Sequence, residues 1–343
     1  MPGLDPATGG NVSTFMMNGA EYTVHVFLQT GDFTVNDPGL NVGAVLVGGG
    51  GGGGTGVLPD VPGGGGGAGG FLQGRINPAS VGVYRVLVGN GGRTDTAGGQ
   101  TELQATMEGN TMVLAAGGGG AGGNQNRNYN NPGDNDYSGC GGDGIDPPDG
   151  AASKVQGCGG GSCGWNDTLG GYGMNAGANS YPNPNPSVNV PDYFAGSGAG
   201  TAQPGDMYQG GNGIAYVLNT AYVLGGGGGA GYNGLGGTGG GGNGGQLSIG
   251  SSGAVNTGGG GGGGSMGYAG GSGGSGIVLL FYLTPPVPGN EVEYFEPHQC
   301  RSPSGRASNI YRHPGRGLPR YQTAWMDSLM LNGGDPNPPP PQQ

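Results

Sequence analysis

Three histidines, four cysteines and one acidic run are the residues of this chain whose chemistry is easiest to name. His25 lies in an alternating apolar stretch, whereas His298 and His313 fall among Pro, Gly and Arg late in the chain. No Ser/His/Asp set or glutamate pair accompanies them at a spacing suited to nucleophilic or general acid–base catalysis, so the chain is expected not to be an enzyme. Glycine is so frequent that G-x-G-x-x-G matches carry no information. The Gly-Lys step of a phosphate-binding loop does not occur at all. No cofactor is expected.

The run Asp134-Asn135-Asp136-Tyr137-Ser138-Gly139 opens like a calcium loop. Its twelfth position is Ile145, with Asp146 one residue beyond, so an ordinary Asp/Asn turn competes with that reading and no metal site is assigned. Cys140, Cys158 and Cys163 lie close together and Cys300 far from them. A loop-stiffening disulfide, a metal site short of a fourth ligand, and reduced thiols in a reducing cytosol remain open alternatives.

Two further groups suit binding. Residues 124–212 are rich in Asn and aromatics, and Tyr129, Tyr137, Trp165, Tyr172, Tyr181 and Tyr193 are the candidate ligand-binding residues. Ring faces stack on sugars and amides bond hydroxyls, so a carbohydrate is the candidate ligand, against a solvated, merely variable loop. Tyr181-Pro182-Asn183-Pro184-Asn185-Pro186 within it is expected to be irregular. The second group, Arg301, Arg306, Arg312, Arg316, Arg320 and Trp325, occupies a Pro/Arg-rich tail expected to dock onto another protein.

The elements that must position these residues are short apolar strands, several running straight into glycine. Val45-Leu46-Val47 leads into glycines 48–54, Met112 to Ala116 into glycines 117–120, and Tyr222-Val223-Leu224 into glycines 225–229. Glycines 258–264 form a further run, before Ile277 to Tyr282, which is apolar on both faces and fits a buried central strand. Tyr22 to Leu28 alternates at period two, and strands are also expected at 33–35, 42–47, 81–88, 101–105, 111–116, 214–219 and 221–224. No helical period appears, so the fold class is all-β with little or no α-helix.

A glycine run can be a slack linker. Here the runs recur, begin at strand ends and contain no charged residue. The alternative is polyproline-II-type geometry, which makes no hydrogen bonds within a helix. Bare glycine helices can lie side by side and bond to one another, so that buried backbone groups are satisfied. That packed lattice is the favoured reading. The absence of a strict Gly-X-Y repeat excludes collagen.

Glycine supplies 94 of 343 residues and proline 26. Only 9% of residues are charged and the net charge is −11. Lysine occurs once, at Lys154, and no basic cluster suits a nucleic acid. Met1-Pro2-Gly3-Leu4-Asp5 lacks the basic and apolar regions of a signal peptide, and Ile277 to Leu283 is too short to span a bilayer. A protein made and kept soluble, or exported by lysis or assembly, with no membrane insertion, is expected. The expected organisation is an N-terminal irregular arm over 1–20, a glycine-rich domain over 21–283, and an extended tail over 284–343.

Phe33-Thr34-Val35, Val45-Leu46-Val47 into polyglycine, Tyr84-Arg85-Val86-Leu87-Val88-Gly89-Asn90-Gly91-Gly92, Ala115-Ala116 into glycine, and the closing Gly274 to Tyr282 together resemble the glycine-rich domain of bacteriophage and other viral virion proteins, notably tail-fibre and tail-tip proteins. A related plan occurs in the glycine-rich region of anaplastic lymphoma kinase-type receptors. The resemblance covers about residues 21–283. It implies a β-sandwich with a bundle of polyglycine-II helices in a virion structural protein, a fibre or decoration component. The implied partners are other virion proteins and further copies of the chain, a trimer by analogy with fibres. Two alternatives stand beside it: a tail-tip adhesin binding a host glycan, and a non-viral extracellular module.

Overall fold

In the computed structural model, Asn18 and Gly19 both adopt left-handed backbone (φ 52° and 78°) and close a two-residue hairpin turn. Two positive φ values in succession match the right-handed twist of the flanking strands, and Asn-Gly is the pair that accepts them most readily. The turn joins β2 (Asn11–Met17) to β3 (Ala20–Phe27). β1 (Ala7–Thr8) precedes them. Residues 7–8 and 11–17 are therefore strand rather than part of the irregular arm that the sequence suggested. The structure describes residues 5–57, 61–76, 79–107, 110–123, 154–155, 157–161, 181–182, 193–206, 208–218 and 221–285.

The remaining strands are β4 (Gly31–Val35), β5 (Val42–Val47), β6 (Phe71–Ile76), β7 (Gly82–Leu87), β8 (Thr101–Met107), β9 (Asn110–Ala116), β10 (Lys154–Val155), β11 (Tyr181–Pro182), β12 (Tyr193–Phe194), β13 (Ile214–Val217), β14 (Ala221–Leu224) and β15 (Ile277–Leu283). One sheet has the order β1-β4-β7-β8-β9-β10 and a second the order β2-β3-β15-β5-β6. All neighbours in them are antiparallel except β9 and β10. β11–β12 and β13–β14 are two-stranded ribbons. No helix occurs among the described residues.

The two large sheets face each other across one core. Phe33, Val35, Tyr84, Val86, Leu103 and Ala116 come from the first; Val42, Leu46, Leu72, Val278, Leu280 and Tyr282 come from the second. Alternation along each strand delivers these residues to the inner face. β15 is buried on both faces, and its central place in the sheet follows from that continuous apolar run. Phe281 on its outer face lies over Gly43 of β5, where a Cβ would fall within 3.0 Å of the ring.

The glycine runs continue the strands outward as a lattice. Glycines 48–54 donate in rotation to three neighbouring runs. Gly48, Gly51 and Gly54 donate to Gly70, Gly67 and Gly64; Gly49 and Gly52 donate to Gly99 and Thr96; Gly50 and Gly53 donate to Gly274 and Gly271. Their carbonyls accept from three others: Gly119 and Gly122, Gly92 and Asp95, Gly261 and Gly264. A partner that recurs every third residue is the signature of a threefold extended helix, whose backbone groups point outward at 120° intervals. Ordinary strands could pair with only two neighbours. Every N–H of this central run, and every carbonyl from Gly49 to Gly54, is thereby satisfied.

Candidate recognition surface

The lattice has two ends. Gly48 and Gly276, Gly89 and Thr101 mark the near end, where the runs meet the sandwich. Gly54, Gly64, Gly123, Gly161 and Gly264 lie level with one another at the far end. Each run that reaches the far end must turn there or leave the lattice. The turns around 206–209, 232–235, 246–249 and 265–269 are all at this end, fixed in sequence by backbone bonds.

Leu235 N–H donates to the Tyr208 carbonyl at 2.7 Å, and Tyr232 N–H to Gly245 at 2.7 Å. Gly250 N–H donates to Ala269 at 3.0 Å, and Gly56 N–H to Tyr268 at 3.0 Å. The four turns are therefore adjacent in one surface. The Asp206 carboxylate accepts from the backbone N–H of Tyr208 and Gln209, closing the first turn. Asn243 Oδ1 accepts from Gly236 N–H at 2.8 Å and ties the second turn to the third.

Five large apolar side chains project from these turns: Tyr208, Leu235, Leu247, Ile249 and Tyr268 are 46–67% exposed. Asn233, Gln209 and Gln246 stand exposed among them. The turns 232–235, 246–249 and 265–269 carry no charged residue. Tyr232 (φ 67°), Leu247 (φ 50°) and Met266 (φ 47°) adopt left-handed backbone, which is costly for such side chains. Backbone strain concentrates where a surface has a task that the lattice does not itself require. The arrangement suits contact with an uncharged partner, through ring faces, aliphatic groups and side-chain amides.

The residues singled out from sequence fare differently. Tyr129, Tyr137, Trp165 and Tyr172 lie outside the described residues, as do Asp134, Asp136, Cys140, Cys163, Cys300 and the tail residues Arg301, Arg306, Arg312, Arg316, Arg320 and Trp325. Tyr181 and Tyr193 are placed by backbone pairing, Tyr181 opposite Phe194 and Tyr193 opposite Pro182. Tyr181–Pro182 is thus a short strand rather than irregular chain; proline is tolerated at a strand edge, where no ladder N–H is needed. Residues 195–200 and 210–213 join the lattice, so part of the stretch expected as loop is structural. Cys158 is buried there with Ala68 and Ala199, and its thiol donates to the Gly200 carbonyl at 3.3 Å.

His25 is a core residue. Its Nδ1 donates to the Gly9 carbonyl at 2.6 Å, its Nε2 lies 3.3 Å from the Tyr282 hydroxyl, and its ring stands edge-on to Phe33. Burial pushes its pKa down, opposed by the Gly9 bond and the Asp5 charge. The neutral ring satisfies both nitrogens.

The turns 232–235, 246–249 and 265–269 were passed over in the sequence because they are embedded in glycine. A residue such as Leu247 or Ile249, isolated in a polar, glycine-rich context with no strand period around it, was the available signal.

The fold and this surface define a class: an all-β sandwich whose strands feed a polyglycine-II lattice, capped by exposed turns. The chain belongs to the glycine-rich domain family, whose model matches residues 28–283. No curated protein matches the chain.

Proposed function

We propose that this chain is a virion structural protein, a fibre or decoration component, in which the glycine lattice is a rigid spacer and the far-end turns are the contact surface. The observation that carries this reading is the position of Tyr208, Leu235, Leu247, Ile249 and Tyr268, gathered at the end of the lattice opposite the sandwich. The resemblance to virion glycine-rich domains supplies the virion setting. The Pro/Arg tail, with Arg301 to Arg320 and Trp325, is the segment that docks the domain onto another virion protein. Immunogold electron microscopy of purified particles, with antibody against residues 124–212, tests the assignment. Label on the particle is expected; a particle without the chain overturns it.

A tail-tip adhesin is the second reading, favoured by the exposed tyrosine and amide side chains at the far end, where the turns 232–235, 246–249 and 265–269 carry no charge. A glycan array probed with the purified full chain tests it. Binding that is lost in Tyr268→Ala supports glycan recognition at this surface, and an array with no binder removes it.

A further inference from the structure

Among the described residues, three of the four edges of the two large sheets are blunted. β1 and β10 are two residues long, and β10 carries Lys154. β6 carries Gly74 and Arg75. Short edge strands and charged edge residues are the usual means of stopping a sheet from pairing with another chain. The fourth edge, β2, has neither. It is seven residues, Asn-Val-Ser-Thr-Phe-Met-Met, with no charge, no proline and no bulge in its pairing with β3. Asn11, Ser13 and Thr14 are exposed, and Val12 and Met16 are 56% and 67% exposed.

The hairpin fixes which backbone groups this edge offers. The two-residue turn bonds Met17 to Ala20, so Met17, Phe15, Ser13 and Asn11 direct their backbone groups to β3. Val12, Thr14 and Met16 direct theirs away from the sheet. We propose that β2 is a self-pairing edge, and that two copies of this chain join antiparallel through it about a two-fold axis at Thr14.

The register follows from satisfying every outward group. Hydrogen-bonded pairs must form between Val12, Thr14 and Met16 of each copy. Only the pairing of Val12 with the second copy's Met16, and of Thr14 with the second copy's Thr14, uses all three donors and all three acceptors on each side. A slip by two residues in either direction leaves outward groups unpaired. The same register sets the exposed Val12 against the exposed Met16, and Thr–Thr and apolar cross-strand pairs are favourable. Charge does not oppose it. Glu21 lies beside Met16 on β3, so the two copies' Glu21 residues fall at opposite ends of the joint strand pair. The contact is isologous and closes at two chains, unlike the trimer of the fibre analogy. It is independent of what the far-end turns bind.

The test is sedimentation velocity of the full chain over a concentration series, with two charge variants at exposed positions. The wild type is expected to shift from one to two chain masses as concentration rises. Val12→Lys with Met16→Lys sets lysine against lysine and should hold the chain at one chain mass at every concentration. Val12→Lys with Met16→Glu sets opposite charges together in the proposed register and should restore the dimer. Amide hydrogen exchange at Val12, Thr14 and Met16 of the wild type gives a readout free of substitution: protection should rise with concentration at these three amides. A wild type monomeric throughout, an association that the double-lysine variant leaves intact, or concentration-independent exchange at Thr14 overturns the proposal. The last outcome, with Thr14 already protected at high dilution, would mean that another segment of the chain occupies the edge.

Discussion

The Thr101 hydroxyl donates to the Val47 carbonyl at 2.7 Å and accepts from Gly89 N–H at 2.9 Å. One fully buried side chain thus holds together the points where β5 and β7 pass into glycine and β8 leaves it. Replacing Thr101 with Val keeps the shape but strands the buried Gly89 N–H and removes one bond from the Val47 carbonyl, at about 1–3 kcal/mol for the unsatisfied donor. Urea unfolding should show that loss, and Thr101→Ser should recover most of it.

Gly51 has no room for a side chain, because a Cβ there would fall within 3.0 Å of the Gly120 carbonyl. The lattice cannot yield at one point without breaking bonds in neighbouring runs. Gly51→Ala should cost at least about 3 kcal/mol, at or beyond the usual range for overpacking. Gly31→Ala is the control: its Cβ would meet the Phe27 ring at an ordinary 3.6 Å. Thermal unfolding of the two variants should differ sharply, with Gly31→Ala within about 0.5 kcal/mol of the parent.

Burial lowers the folded-state pKa of His25 below the value near 6.5 that it takes when unfolded. The unfolded chain therefore binds more protons than the folded one as pH falls through 6.5 toward the folded value. The sign is that stability is full above about pH 6.5 and declines as pH falls below it. Denaturant midpoints at pH 7.5 and 5.5 should differ in that direction, and His25→Gln should flatten the dependence.

Leu247 holds a left-handed conformation (φ 50°) while half exposed. Leu247→Gly should relieve about 1 kcal/mol of backbone strain. The melting temperature should rise or hold steady, while any partner of the far-end turns binds less well. A fall in melting temperature would mean that Leu247 packs as a structural residue.

Much of the fold was legible in local pattern. The alternation of Tyr22 to Leu28 marked β3, and the run Ile277 to Tyr282 marked a strand buried on both faces and central in its sheet. The all-β class and the threefold character of the glycine runs follow from the same local features: strand period, absent helical period, and charge-free glycine starting at strand ends. The hairpin of β2 and β3 was encoded too, in Asn18-Gly19, but was hidden beside a terminus read as irregular.

Other features exist only in three dimensions. Glycine carries no side chain to specify a neighbour, so nothing in glycines 48–54 names glycines 117–123 as a partner. The strands that feed each run set its position, and the sandwich thereby dictates the lattice. The far-end surface has the same origin. Tyr208, Leu235, Ile249 and Tyr268 are far apart in sequence, and they meet because the runs that carry them, hydrogen-bonded in one lattice, turn at one level. Sequence determined that glycine helices could pack; tertiary structure decided which ones touch, since bare backbone bonds to any backbone brought alongside it.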